Sequence, residues 1–117
     1  MKISEIRDYL GAELLCGEAS LEHDVASACC SDMMSDVLAY VKDQGVLITG
    51  LLNSQVIRTA NMMDMVCVVF VRSKTPTEDM IELADECGIV VMRSSLRAYE
   101  ACGILYDKGL GRSVANV

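Results

Sequence analysis

Short apolar runs alternate along the chain with stretches in which apolar residues recur every three or four positions. Four times a β-branched run ends on small polar residues and is followed directly by such a stretch, as in GVLITG before LLNS and MVCVVFV before RSKTPT. Continuous apolar runs are typical of strands buried on both faces, and the three-to-four spacing is typical of amphipathic helices. The pattern predicts four successive strand-helix units over residues 25–109.

Each of the four helices carries an apolar stripe that is expected to face the sheet. The stripes contain Met34, Val37, Leu38 and Val41 in the first unit, Val56, Ile57, Ala60 and Met63 in the second, Met80, Ile81, Ala84 and Cys87 in the third, and Leu96, Tyr99, Gly103 and Tyr106 in the fourth. Ser31 or Asp32 is the expected cap of the first helix, and Pro76 is expected in the first turn of the third.

The segments outside the four units complete a single domain spanning residues 1–117. Residues 1–24 are predicted to form a short helix ending at Gly11, a strand within AELLC and a polar loop, and residues 110–117 are predicted to be a tail. The predicted fold class is α/β, with two or three layers around a mainly parallel sheet. The sheet is mixed if the N-terminal strand pairs antiparallel at an edge.

Charge and hydropathy exclude several classes of partner and location. The 117 residues carry a formal net charge of −7, which disfavours nucleic acid and anionic membranes because both require a basic face. The N-terminal segment lacks the apolar core of a signal peptide, and no apolar run reaches membrane-spanning length. We expect a cytoplasmic protein.

The motifs of several common enzyme classes are absent from the sequence. There is no phosphate-binding loop of the G-x-x-x-x-G-K-[ST] type, no dinucleotide fingerprint opening a helix, and no nucleophile elbow to accompany His23, the single histidine. We therefore expect no catalytic residues, no cofactor and no metal site. An enzyme that uses Cys29 and Cys30, or the acidic residues of the first long helix, remains an open alternative.

Six cysteines in a chain without an export signal are expected to be reduced thiols. Cys67 lies inside an apolar run, and Cys87 and Cys102 lie on apolar stripes, so all three are predicted to be buried. The vicinal pair Cys29 and Cys30 would alternate faces in a strand, which favours packing over zinc binding, although a zinc or redox role stays a hypothesis.

Small polar and basic residues gather at the four strand-to-helix junctions, which we call the rim. In an open α/β sheet these junctions meet at one edge, where ligands bind. Hydroxyl groups, free N–H groups of helix starts and cations suit a phosphate or carboxylate, although the same residues also serve as ordinary helix caps. The candidate ligand-binding residues are Ser31, Asp32, Thr49, Gly50, Asn53, Arg72, Ser73, Lys74, Ser94 and Ser95.

The sequence from SDMMSDV to the closing AYEACGILYDKGL resembles the DRTGG domain family, in particular its small stand-alone bacterial members. The resemblance implies a fold like the N-terminal domain of HPr kinase and a role as a regulatory module in proteins that also carry nucleotide-binding or catalytic domains. It implies no catalytic residues. The D-R-T-G-G string itself is absent, and the T-G at Thr49 and Gly50 is followed by Leu51.

Two functional hypotheses of different class follow. The first is a non-catalytic regulatory or sensory module, expected to be a homodimer, that binds a small anionic metabolite or nucleotide at the rim and signals to a partner protein. The second is a structural interaction or dimerisation domain without a ligand, in which an apolar surface that includes some of the eight methionines makes the contact.

Overall fold

Five strands form one mixed sheet in the computed structural model, which describes residues 1–40 and 45–111. The strands are β1 (Glu13–Cys16), β2 (Ala28–Cys30), β3 (Val46–Thr49), β4 (Cys67–Phe70) and β5 (Val90–Arg93), in the order β1-β5-β4-β3-β2. Strands β2 to β5 are parallel, and β1 pairs antiparallel with β5 at one edge. The predicted α/β class is confirmed, and the N-terminal strand makes the sheet mixed.

Helices cover both faces of the sheet, which gives three layers. They are α1 (Ile3–Leu10), α2 (Met34–Tyr40), α3 (Ser54–Met62), α4 (Glu78–Cys87) and α5 (Ala98–Asp107). Buried side chains of α1 and α5 share one apolar cluster with one face of the sheet, and those of α2, α3 and α4 share a second cluster with the other face. Each unit of the sequence pattern therefore forms one strand and one helix.

The central strands are buried on both faces because the helices cover both. Every residue of β3 and β4 is buried. Val46 and Ile48 belong to the α1–α5 cluster, whereas Leu47 between them belongs to the α2–α4 cluster. This alternation explains why the strands are continuous apolar runs in the sequence.

The stripe prediction is confirmed in full or in part for three helices and is wrong for α5. Val56, Ile57 and Ala60 of α3 are buried, as are Met80 and Ala84 of α4. Met34 and Val37 of α2 are buried as well, while Leu38 is exposed and Val41 lies outside the described residues.

In α5 the predicted inner residues Tyr99 and Tyr106 are 90% and 62% exposed, and Ala101 and Leu105 are buried in their place. The small Ala101 side chain lets the helix lie close to the sheet, and a bulky tyrosine with a polar hydroxyl group would prevent that approach. The helix is therefore rotated relative to the prediction.

Two predicted helix starts also differ from the structure. Helix α2 begins at Met34, where neither candidate cap binds the first turn, since Ser31 Oγ accepts from the backbone N–H of Met33. Helix α4 begins at Glu78 and is capped by Thr77, whose hydroxyl group accepts from the Met80 N–H at 3.3 Å. Pro76 therefore precedes the helix and is not in its first turn.

The two ends of the predicted domain behave differently. Gly11 ends α1 with a φ of 57°, the left-handed conformation predicted for it. Leu110, assigned to the tail, is buried in the α1–α5 cluster, and residues 112–117 lie outside the described part of the chain. Within that part, no helix is both long and apolar enough to cross a membrane.

Candidate functional site

The carboxyl ends of β2, β3 and β4 lie side by side, as the parallel pairing requires. In register, Cys30 of β2 pairs with Ile48, and Thr49 of β3 pairs with Phe70 of β4. The residues that follow these strands are therefore neighbours in space although they are distant in sequence. The residues that follow β2, β3 and β4 form the middle of the rim.

Asp32 connects the first two junctions. One carboxylate oxygen accepts hydrogen bonds from the Thr49 hydroxyl group at 2.9 Å and from the Gly50 backbone N–H at 2.8 Å. The Thr49 hydroxyl oxygen in turn accepts from the Leu51 N–H at 3.1 Å. The carboxylate predicted to cap α2 instead holds the end of β3.

These contacts lower the pKa of Asp32 below its ordinary value. The hydrogen bond from the Gly50 N–H contributes most, and partial burial opposes it. The Thr49 hydroxyl group and the positive charge of Arg72 lower the pKa further. Hydrogen bonds and a nearby cation both favour the ionised form, so Asp32 is a stable negative charge within the rim.

Arg72 approaches Asp32 from the third junction. Both Arg72 and Ser73 have left-handed backbone conformations, with φ of 58° and 54°. Their N–H groups donate to the carbonyl oxygens of Leu96 at 2.8 Å and Ser94 at 2.9 Å, which fix this unusual turn. The turn is therefore anchored to the loop between β5 and α5.

The Arg72 guanidinium group occupies the space that a side chain at position 50 would need. A Cβ atom placed on Gly50 would clash with Nη2 of Arg72. Within residues 1–40 and 45–111, no carboxylate lies within salt-bridge distance of this guanidinium group. Because Gly50 has no side chain, the Arg72 guanidinium group can lie on the rim, where its N–H donors are not engaged in an ion pair with the described part of the chain.

Ser31 is half-buried and hydrogen-bonds the Met33 backbone before α2. The other five candidates fall into two groups. Ser73, Lys74, Ser95 and Asn53 are exposed, and Asn53 stands at the N-cap position of α3 without a side-chain capping bond. Ser94 is buried, and its hydroxyl group donates to the Leu10 carbonyl oxygen at 2.9 Å and accepts from the Leu96 N–H at 3.2 Å. The structure therefore uses Ser94 to join β5 to α1.

Arg93 at the end of β5 is also engaged by the fold. Its guanidinium group donates to the Glu13 carboxylate and to the Thr75 hydroxyl group, the latter at 2.7 Å. The structure brings Asp32, Thr49, Gly50 and Arg72 together in one group, and Ser73 and Ser94 in a second contact through their backbones. The arrangement of the first group suits the binding of an anionic group by the exposed guanidinium, and it offers no activated nucleophile.

An apolar cavity of about 760 Å³ lies between α5 and the β2 side of the sheet and was missed by the sequence reasoning. Its lining includes Cys30 and Ile48 from the sheet, and Tyr99, Cys102 and Tyr106 from the helix. The missed signal is the small residue Ala101, which is buried where α5 packs on the α1–α5 cluster. In the described part of the chain, no three His, Cys, Asp or Glu side chains come together to hold a metal ion.

The family model of the DRTGG domain matches residues 5–107. The chain belongs to the DRTGG domain family. A search of curated proteins finds no match. The T-G of Thr49 and Gly50, one of the sequence features of the resemblance, lies at the Asp32 contact in this member of the family.

A solved structure with the same fold contains the CBS and DRTGG domains of the regulatory region of Clostridium perfringens pyrophosphatase, complexed with its activator, diadenosine tetraphosphate. The two chains are 16% identical and superpose with a TM-score of 0.71. The match covers 89% of the present chain and 45% of the pyrophosphatase chain. The present chain thus corresponds to less than half of that region.

Proposed function

We propose that this DRTGG domain is a non-catalytic regulatory module that binds a small anionic metabolite or nucleotide at the rim and signals to a partner protein. The observation that carries the proposal is the Arg72 guanidinium group, held on the rim by a left-handed turn and the absent side chain of Gly50. A planar guanidinium group that forms no ion pair with any described residue matches the oxygens of a phosphate or carboxylate.

The groups around Arg72 support an anionic ligand. Ser73 and Lys74 are exposed beside it, so a second cation and a hydroxyl group are available. Helix α3 starts at Ser54, close in sequence to Gly50, and the Asn53 side chain accepts no hydrogen bond from its first N–H groups. A helix start of this kind favours negative charge.

Asp32 limits how the ligand binds. Its carboxylate already accepts from the Gly50 N–H and the Thr49 hydroxyl group, so these two donors are not free. The ligand therefore contacts the Arg72 side of the rim, where no carboxylate of the described residues forms an ion pair with the guanidinium group. We expect such a ligand to be held mainly by Arg72 and Lys74.

The regulatory part of the proposal is supported by the family and by the fold neighbour. In the pyrophosphatase, a DRTGG domain belongs to the regulatory region of an enzyme, and that region was solved with a nucleotide activator. By analogy, the partner of the present chain is a protein with a catalytic domain, and the ligand class includes nucleotides.

Thermal unfolding of the full chain with a panel of anions tests the proposal. The panel contains inorganic phosphate, pyrophosphate, AMP, ATP and diadenosine tetraphosphate, each at saturating concentration. A ligand at a hundred times its Kd stabilises the native state by about 2.7 kcal/mol, which raises the Tm by several degrees. Arg72→Gln is expected to remove at least half of this rise because it removes the charged fork and leaves a shorter, neutral polar side chain.

Arg58→Gln is the matched control. It removes the same charge from an exposed position within α3, away from the strand-to-helix junctions. This variant should keep the Tm rise of the unchanged protein. A panel that leaves the Tm unchanged, or a rise that Arg72→Gln leaves intact, would overturn the rim as an anion site.

A second candidate function is homodimerisation through α2 and α3. Met33 and Met62 are 61% and 67% exposed, and Leu38 and Leu52 are also exposed, so α2 has apolar residues on its outer as well as its inner face. Asp36 of α2 and Arg58 of α3 are both exposed. The surface thus offers charges of both signs beside its apolar residues, a composition that a second copy of the same surface complements.

A further inference from the structure

Two thiols from distant parts of the chain line the cavity between α5 and the sheet. Cys30 is the last residue of β2, the strand at the edge of the sheet, and Cys102 lies in the first half of α5. Cys30 is exposed, whereas Cys102 is half-buried against the α1–α5 cluster. The cavity thus offers one accessible thiol and one sheltered thiol.

Cys30 and Cys102 line the same cavity on the same face of the sheet. Burial and a hydrogen bond with the Cys30 thiol raise the pKa of Cys102 to about 12. The sheet register places Cys30 on the α5 side, because Cys30 pairs with Ile48, which lies in the same cluster as Leu105 of α5. Cys102 therefore remains a neutral thiol at physiological pH, next to the more accessible sulfur.

The other cysteines do not share this position. Cys29 precedes Cys30 in β2 and points to the opposite face, where it packs against the α2–α4 cluster. Cys87 packs against the same α2–α4 cluster. Cys16 donates its thiol hydrogen to the Ile89 carbonyl oxygen at 3.4 Å, and Cys67 is fully buried. Cys30 and Cys102 are thus the two thiols that line one cavity in the described part of the chain.

We propose that Cys30 and Cys102 are an oxidation site that forms a reversible intramolecular disulfide when the protein meets hydrogen peroxide. The Cys30 thiolate attacks one peroxide oxygen, the O–O bond breaks, and the hydroxide that leaves takes up a proton to become water. Cys102 then attacks the Cys30 sulfenic acid, the S–O bond breaks, and a second water leaves with the Cys102 proton. Two thiols are oxidised to one disulfide, and one peroxide is reduced to two waters.

The bond joins the edge strand to α5 across the cavity. It closes a long loop of the chain, so the oxidised protein should unfold at a higher temperature than the reduced protein. It also fixes the residue two positions before Asp32, where the rim begins. Formation of the disulfide does not depend on the proposed ligand. The oxidation test and the anion-binding test can therefore fail independently of each other.

The test treats the reduced full chain with a small excess of hydrogen peroxide, blocks the remaining thiols with an alkylating agent and maps the peptides without reduction. We expect the loss of two hydrogen atoms from the intact mass, a peptide that links Cys30 to Cys102, and a higher Tm. Dithiothreitol should reverse all three changes. The linked peptide is measured on the unchanged protein, so the result does not depend on how well a variant folds.

Cys30→Ser and Cys102→Ser should each prevent the mass change, while Cys29→Ser is the matched control from the same strand and should behave like the unchanged protein. A link between Cys29 and Cys30, a link between two chains, or a sulfinic acid on Cys30 without any linked peptide would overturn the proposal.

Discussion

At the residue scale, Asp32 shows how an apparent helix cap serves a different purpose. The sequence places it directly before a helix, where Asp is a common cap. In the structure the Gly50 N–H and the Thr49 hydroxyl group are nearer partners, and they bind the carboxylate at 2.8 and 2.9 Å. A negative charge of the chain itself therefore occupies donors that a ligand phosphate could otherwise use.

Asp32→Asn is expected to destabilise the protein by about 1 kcal/mol at neutral pH, because it removes the charge from two hydrogen bonds at an exposed site. The pKa of Asp32 is lowered in the folded state, so the stabilisation is present above the unfolded-state value of about 3.9 and is lost as the pH falls through the folded-state value. Urea unfolding of Asp32→Asn and of the unchanged protein at neutral and strongly acidic pH measures the difference in their free energies of unfolding.

In strong acid, the free energy of unfolding should be the same for Asp32→Asn and for the unchanged protein. Asp36→Asn is the control, since it removes an equivalent exposed charge from α2 without touching the rim contacts. If Asp36→Asn destabilises the protein as much as Asp32→Asn does, the effect comes from net charge and not from the bonds to Gly50 and Thr49.

At the scale of elements, α5 shows where hydrophobic periodicity is insufficient. Tyr99 and Tyr106 satisfy the helical spacing as well as Ala101 and Leu105 do, so the pattern alone offers two faces. The structure buries the face with the smaller residues and leaves Tyr99 90% exposed. Close approach to the sheet, a property of tertiary packing, decides between them.

Leu105→Ala should therefore be costly and Tyr99→Ala should not. Leu105 is buried in the α1–α5 cluster, and its truncation should cost about 3 kcal/mol through lost burial and a new cavity. Tyr99→Ala should change the free energy of unfolding by less than about 0.5 kcal/mol. Chemical denaturation of both variants measures this, and equal losses would contradict the observed orientation of α5.

The contrast between local patterns and tertiary packing explains which features could be predicted from the sequence. The strands β3 and β4 and the stripe of α3 were predictable because each is a local pattern of apolar residues. The partners of Asp32 and the placement of Arg72 against Gly50 were not, because they join residues on three different junctions. The residues of the rim could be named, but the contacts among them depend on strand order and on a left-handed turn that the local sequence does not signal.

At the scale of the whole molecule, the two faces of the sheet differ in what they leave open. The face under α1 and α5 contains the apolar cavity with its two thiols. The opposite face is covered by α2, α3 and α4, and the outer surface of α2 and α3 exposes Met33 and Met62. A cavity suits a small group, whereas exposed methionines suit a broad and adaptable protein contact.

If two copies of the chain associate through the exposed outer side of α2 and α3, one substitution on that surface should separate them. Met62→Glu would place one buried, unpaired charge from each copy in the interface, and we expect the dimer Kd to rise at least about tenfold, which corresponds to about 1.4 kcal/mol. Sedimentation velocity over a range of concentrations measures this. Tyr99→Glu adds the same charge at an exposed apolar position on the opposite face and should leave the dimer intact. A chain that is monomeric at every concentration, or a dimer broken by Tyr99→Glu and unaffected by Met62→Glu, would exclude this surface as the contact between copies.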